Sequence, residues 1–293
     1  MICFVILHYM IVDETVGCID SIKSKIKSEK KIVVVDNKSP NDSGEELRKR
    51  YENDDEVVVV INSHNAGFAS GNNLGFKYAK DSFDPDYIIV MNNDVEIVQD
   101  DFMEIVCDEY EKNGFDIMGP DIYSTSYKLH QSPKRTKGYE YDEIVKLNRN
   151  YKAQLTDNLF TDIKCAIKNI TPLRMYVYRK RRARYDYTQE LTDVILHGAC
   201  VIYSPDYLKK YDFAFVEGTF FYYEMEILEY FCRINHLRTL YCPRLKVEHH
   251  QNVSTNVAYK NMKDKTMFAN KCNYDSTAFF IRYMKDNPPA GRE

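Results

Sequence analysis

Tyr87-Ile88-Ile89-Val90-Met91-Asn92-Asn93-Asp94-Val95-Glu96-Ile97 is the stretch on which the reading of this chain turns. Residues 88–91 are four consecutive apolar residues rich in β-branching, which predicts a short strand buried on both faces. The strand runs directly into two amides and a carboxylate. Open α/β sheets gather their ligands at the carboxyl ends of the strands, so Asn92, Asn93 and Asp94 would stand where a substrate binds. Hard oxygen donors there suit Mg²⁺ or Mn²⁺, which can join a protein to a substrate diphosphate. A strand closed by an Asx turn is the other reading of the same residues.

Strands and helices alternate around this stretch. Apolar, β-branched runs predict strands over 2–7, 31–35, 57–61 and 115–120. Helical spacing of apolar residues marks 12–27, 44–51, 69–80 and 100–112 between them. That alternation predicts an α/β fold with a mostly parallel sheet covered on both faces. Residues 132–190 are polar, basic and rich in tyrosine, with helical character only over 143–147 and 159–170. Strand-like character returns over 194–203, 239–241 and 245–247, with helices expected over 227–234 and 258–285. The division expected is one catalytic domain over 1–256 with a C-terminal helix and tail over 257–293. Within that domain, 1–120 forms the ligand-binding half, 130–190 a helical basic insert and 191–256 a second half.

At 293 residues, with 44% hydrophobic and 29% charged residues, the chain has a globular composition. A net charge of −4 excludes a global attraction to nucleic acid or anionic lipid. The eight cysteines have neither a CxxC pair nor zinc spacing, which fits reduced thiols in the cytoplasm. No run is long and apolar enough for a membrane span. Arg179-Lys180-Arg181-Arg182-Ala183-Arg184 is a local basic run. It reads as a solvated helix face or as a patch for phosphates, where Arg179, Arg181 and Arg182 would meet an acceptor or the inner face of an anionic membrane.

Several constellations can carry chemistry. Asp36 ends its strand on the same sheet edge as Asp94 and can accept hydrogen bonds from a base or ribose. In Asn65-Ala66-Gly67-Phe68-Ala69-Ser70-Gly71-Asn72-Asn73-Leu74-Gly75 the glycines would let backbone approach a ligand, and the amides would bond phosphate or sugar. Its spacing and its place after the third strand do not match a dinucleotide fingerprint. Glu224 and Glu226 follow an aromatic cluster that can raise a carboxyl pKa for general-base work, or they simply favour a helix N-terminus. His249 and His250 end a strand, where an imidazole can complete a metal site begun by Asp94.

Together these pieces resemble the family-2 inverting glycosyltransferases of the GT-A fold, in the bacterial rhamnosyltransferase-like group, over residues 2–256. The resemblance is carried by five segments and a late His…Ser-Thr element. The segments are the opening strand with His8-Tyr9; Val33-Val34-Val35-Asp36-Asn37-Lys38-Ser39; residues 65–73; Met91-Asn92-Asn93-Asp94; and Leu196-His197-Gly198-Ala199 continuing to residues 219–228. It implies transfer of a sugar from a UDP- or dTDP-sugar to a cell-surface polysaccharide or lipid-linked glycan. His8, Tyr9 and Asp36 would hold the nucleotide, and Asn65, Gly67, Asn73, Asn92 and Asn93 would line the donor pocket. Asp94 and His249 would hold Mn²⁺ or Mg²⁺, Glu224 or Glu226 would be the base, and His197 would lie toward acceptor or phosphate. Two departures stand out: Met225 replaces one acidic position of Glu-Glu-Asp, and Asn92 replaces the first Asp of Asp-X-Asp. A sugar nucleotidyltransferase is disfavoured because residues 8–11 lack glycine. A non-catalytic binding protein of the same fold is the further alternative.

Overall fold

The computed structural model describes residues 1–155, 179–180, 186–250 and 262–289. One ten-stranded sheet organises them. Its strands are β1 (Ile2–His8), β2 (Lys30–Asp36), β3 (Val57–Ile61), β4 (Tyr87–Asn92), β5 (Val95–Ile97), β6 (Ile117–Ser124), β7 (Leu129–His130), β8 (Leu191–Thr192), β9 (Cys200–Tyr203) and β10 (Thr239–His249). The main path runs β3-β2-β1-β4-β9-β6-β10-β5, with β7 on β6 and β8 on β10. β1 to β4 are parallel, as are β6 and β10, while β9 and β5 run against their neighbours. Strands from both halves interleave, so both halves build one sheet.

Four helices cover the first half: α1 (Val12–Lys25), α2 (Ser43–Arg50), α3 (Gly67–Phe83) and α4 (Phe102–Asn113). They are followed by α5 (Tyr141–Lys152), α6 (Pro205–Lys210), α7 (Glu224–Ile234) and α8 (Met262–Asp286). Alternate residues of β1 feed opposite faces. Phe4 and Ile6 pack with Ile19 and Ile22 of α1, while Cys3 and Val5 pack with Phe76 of α3. A third cluster joins Ile144 of α5, Ile227 and Tyr230 of α7, and Phe280 and Met284 of α8.

Three local expectations change. Residues 194–199 lie outside the strands, apart from an isolated bridge between Ile195 and Arg135, and only 200–203 form β9. The expected strands over 239–241 and 245–247 are one strand whose register shifts between Cys242 and Lys246, around Pro243, which has no N–H to give a ladder. The glycines of residues 67–75 serve close packing within the protein. Gly75 lies where α3 crosses β1 and β2, and a Cβ there would come 2.5 Å from Val5 Cγ1 and 2.7 Å from Val35 Cγ2. The expected helix over 159–170 lies outside the described residues.

Among the described cysteines none is paired, and all but Cys107 are buried. No described helix is long and apolar enough to cross a membrane. Gly75→Ala overpacks the α3–sheet contact and is expected to lower stability by about 1–3 kcal/mol, read as a lower urea midpoint with an unchanged m-value.

Candidate active site at the carboxyl edge of the sheet

β1, β2 and β4 end together. Their register pairs His8 with Asp36, and Leu7 with Asn92. His8 is fully buried, with Nδ1 2.7 Å from Thr15 Oγ1 and Nε2 2.9 Å from Ser43 Oγ. Burial pushes its imidazole down to about 4. Both ring nitrogens are committed to α1 and α2, so the His8 side chain braces the edge. Tyr9 follows, half-buried. Asp36 is buried and closes its own turn, accepting from Ser39 N at 3.1 Å and Ser39 Oγ at 2.5 Å. Asp36 thus closes an Asx turn at the end of β2.

Asn37 organises the neighbouring loop. Its Nδ2 donates to Asn65 Oδ1 and Gly67 O, both at 3.0 Å, and its Oδ1 accepts from Ala66 N at 3.1 Å. Asn65 is exposed and also accepts from Gly67 N at 3.0 Å. Gly67 has φ +79, and any Cβ there would strike the Phe220 carbonyl, which accepts from Phe68 N at 2.8 Å. The left-handed backbone and that close approach both demand glycine. Asn73 donates to Phe215 O at 2.8 Å and Glu217 Oε1 at 3.3 Å, and accepts from Ala214 N and Phe215 N at 2.9 Å. Its amide thus clamps the 214–217 loop. Gly67 and Asn73 together bind the first half of the chain to the segment that precedes α7.

The Asn-Asn-Asp turn lies between β4 and β5. Asn93 is buried and donates to Thr15 Oγ1 at 3.1 Å, and Asn92 is half-buried, with its backbone N–H on Ala199 O at 2.9 Å. Asp94 Oδ1 lies 3.1 Å from Nε2 of His249, at the end of β10. His249 is 4% exposed, and its Nδ1 lies 2.8 Å from Gln131 Oε1. His197 stands edge-on to His249, with ring centroids 5.8 Å apart, and its Nδ1 accepts from Ala199 N at 3.2 Å. His250 turns away toward Glu14 and Glu96, at 3.4 and 3.8 Å. Among the described residues no three His, Cys, Asp or Glu side chains gather as a metal cluster. Asp94 and His249 bring a carboxylate and an imidazole to within 3.1 Å at this edge.

The N-terminus of α7 supplies two more carboxylates, both buried. Glu224 accepts from Thr219 Oγ1 at 3.3 Å, and burial pushes its carboxyl up to about 7. Glu226 is paired with Lys134 Nζ at 2.7 Å through Oε1, while its Oε2 is buried with no hydrogen-bond partner. Met225 between them is 4% exposed and belongs to the apolar cluster beneath α3. A Cβ on Gly198 would meet Met225 Cγ at 3.2 Å, so the His197-Gly198 turn links the two ends of the site. Directly before α7, Tyr222 and Tyr223 hold φ of 72 and 69. Such strain costs about 1–3 kcal/mol per residue and persists only where the surroundings enforce it. Ser276 Oγ donates to Phe221 O at 2.9 Å, and the Tyr151 and Tyr223 hydroxyls lie 3.2 Å apart.

Three contributors had no sequence signal. Gln131 and Lys134 sit in the polar segment after β6, and Thr15 reads as an ordinary helix residue. Each acquires its role only through a partner distant in the chain. Of the basic run, Arg179 and Lys180 are exposed, while Arg181 and Arg182 lie outside the described residues.

Known proteins share parts of this sequence and its fold. The chain is 29% identical over 116 residues to the low-salt glycan biosynthesis hexosyltransferase Agl10 of Haloferax volcanii, covering 39% of this chain and 36% of that protein. It is 31% identical over 109 residues to the uncharacterized glycosyltransferase EpsJ of Bacillus subtilis, covering 37% and 30%. The chain therefore spans about a third of the length of these curated relatives. The crystal structure of S. aureus TarS 1-349 superimposes with a TM-score of 0.53 at 14% identity, covering 85% of this chain and 60% of that one, which shows a shared fold. The model of glycosyl transferase family 2 matches residues 3–212, and the chain belongs to that family as a glycosyltransferase of α/β architecture.

Proposed function

We propose that this protein transfers a sugar, with inversion, from a UDP- or dTDP-sugar to a hydroxyl of a cell-surface or lipid-linked glycan, in the manner of the rhamnosyltransferase-like members of the family. A divalent cation, Mn²⁺ or Mg²⁺, would assist. The observation that carries the reading is the Asp94–His249 pair. His249 Nδ1 faces Gln131 Oε1 at 2.8 Å, and its Nε2 faces the Asp94 carboxylate at 3.1 Å. A cation held by the Asp94 carboxylate would find Nε2 of His249 within reach as a further ligand. Metal-binding histidines ordinarily donate their other N–H to a carbonyl or carboxylate. Mg²⁺ sites of this class use one or two carboxylates and take the remaining oxygens from substrate phosphates. The residues present therefore fit such an ion, with Asp94 and His249 as its protein ligands.

When bound, the ion would offset the negative charge that builds on the departing nucleoside diphosphate. The protein's own groups would do the rest. Asp36 and the Asn37-braced loop shape the nucleotide end, with Tyr9 and Asn65 beside it. Glu224 accepts the proton of the acceptor hydroxyl as its oxygen bonds to the anomeric carbon and the bond to diphosphate breaks. A carboxyl pushed up to about 7 is matched to that task near neutral pH. Glu226 is engaged by Lys134, and Met225 is sunk in the apolar cluster. Neither is placed to compete as the base.

Glu224→Gln is expected to lower kcat by about 10²–10⁴-fold, measured as nucleoside diphosphate release from the productive donor, while Glu226→Gln leaves turnover measurable. Turnover retained in Glu224→Gln would remove Glu224 as base. Stability carries an independent signature. A carboxyl raised in the folded state favours folding while protonated, and that advantage is lost as pH rises from about 4.5 through about 7. Glu224→Gln should thus melt like the parent at pH 4 and higher than the parent at pH 8. Equal melting at both values would contradict the buried-carboxyl assignment.

A further inference from the structure

Lys134 carries an inference that rests on the assignment of Glu224 as base and goes beyond it. Two buried carboxylates lie two residues apart on the first turn of α7, and only one of them has a cation. Lys134 arrives from a different part of the chain. It lies on the segment after β7, where its backbone N–H donates to Ile195 O at 2.7 Å and Ile195 N donates back to Arg135 O at 2.9 Å. Arg135 is itself held, with Nη2 2.8 Å from Glu143 Oε1 and its guanidinium 4.0 Å above the Tyr139 ring. The ammonium is therefore delivered to Glu226 by a braced backbone, and the same residue 195 leads into the His197-Gly198 turn.

We propose that Lys134 is a positioning residue of the transfer reaction: by clamping Glu226 it withholds that carboxylate from proton transfer and leaves Glu224 as the single proton acceptor. Without the ammonium, two carboxylates on one buried turn would share a proton, as like charges in one site do. With it, Glu226 Oε1 is held against the ammonium at 2.7 Å, away from the acceptor side. The groups facing Glu224 are Glu226 on its own helix, Lys134 from the braced segment with Tyr139 beside that ammonium, Thr219 from the preceding loop and Cys272 from α8. Lys134 favours its charged form and Glu226 disfavours it. The orphaned Glu226 Oε2 agrees with a carboxylate fixed through one oxygen and otherwise sealed off.

Carbon-13 NMR titration of the glutamate carboxyls in the full chain tests this without any substrate. The parent should show two glutamates near pH 7, Glu224 and the buried Glu229 of the same helix, and the one that disappears in Glu224→Gln is the titration to follow. Lys134→Met should move that titration upward by about one pH unit, and Lys134→Arg should leave it near the parent. Glu226→Gln should move it downward, because a negative neighbour is gone. The double variant Lys134→Met/Glu226→Gln should return it toward the parent value. A Glu224 titration unmoved in Lys134→Met and in Glu226→Gln would overturn the role of Lys134 while leaving the base assignment intact. Should Lys134→Met fail to fold, Lys134→Gln, which keeps a hydrogen-bond donor toward Glu226 without the charge, reads the same coupling. Failure of the base assignment is separately visible, as turnover retained in Glu224→Gln.

Discussion

The register of β10 against its two neighbours is the constraint on which the site depends. Val247, Glu248 and His249 lie antiparallel to Ile97, Glu96 and Val95, so His249 is opposite the residue directly after Asp94. On its other side β10 runs parallel to β6, with His249 against Ser124. A one-residue slip would turn His249 to the opposite face and leave Asp94 without its imidazole. The shift between Cys242 and Lys246 sets this register, because it divides β10 into two segments that pair independently with β6. Arg244 within the irregularity reaches Glu109 of α4 at 2.6 Å, which pins the bulge to the helix layer.

The α7 end is built differently, through strain and burial. Two tyrosines in left-handed backbone and two sealed carboxylates all disfavour folding. The aromatic cluster of α5, α7 and α8 offsets them by burying Ile144, Tyr230 and Phe280 completely or nearly so. Stability spent in this way commonly marks the place where a fold does chemistry. Gly67 and Asn73 connect the two ends. Both fasten the segment before α7 to α3, so the helix carrying Glu224 is located by the half of the chain that carries Asp36 and Asp94.

Much of the fold was legible because buried parallel strands read as unbroken β-branched runs. Residues 57–61 became β3 with the expected limits, and the Tyr87 stretch became a central strand ending at Asn92. β5 escaped notice because Val95-Glu96-Ile97 follows β4 after a two-residue turn and looks like its continuation. Residues 194–199 looked like strand because they are apolar, yet they are buried as an irregular segment that carries His197. Asp94, His249 and Glu224 stood out in the sequence by residue type and by their place at the ends of predicted elements. His8, Gly75 and Asn73 were legible only as polar or small residues near a ligand edge. Their partners Thr15, Ser43, Val35 and Phe215 lie on other elements, and no local pattern reports a contact of that range. Lys134 is the extreme case, a lysine in a polar stretch whose partner is far along the chain.

The central claim is that Asp94 and His249 form a cation-dependent diphosphate site. The most direct measurement is the melting temperature of the protein with UDP or dTDP, each with and without Mn²⁺, in the parent and in Asp94→Asn. A ligand that binds only the folded state raises melting by mass action, by about 2.7 kcal/mol at a hundredfold excess over Kd. The account predicts a rise that requires nucleotide and Mn²⁺ together and is lost in Asp94→Asn. A rise that ignores both Mn²⁺ and the substitution, or none with either nucleotide, would contradict it.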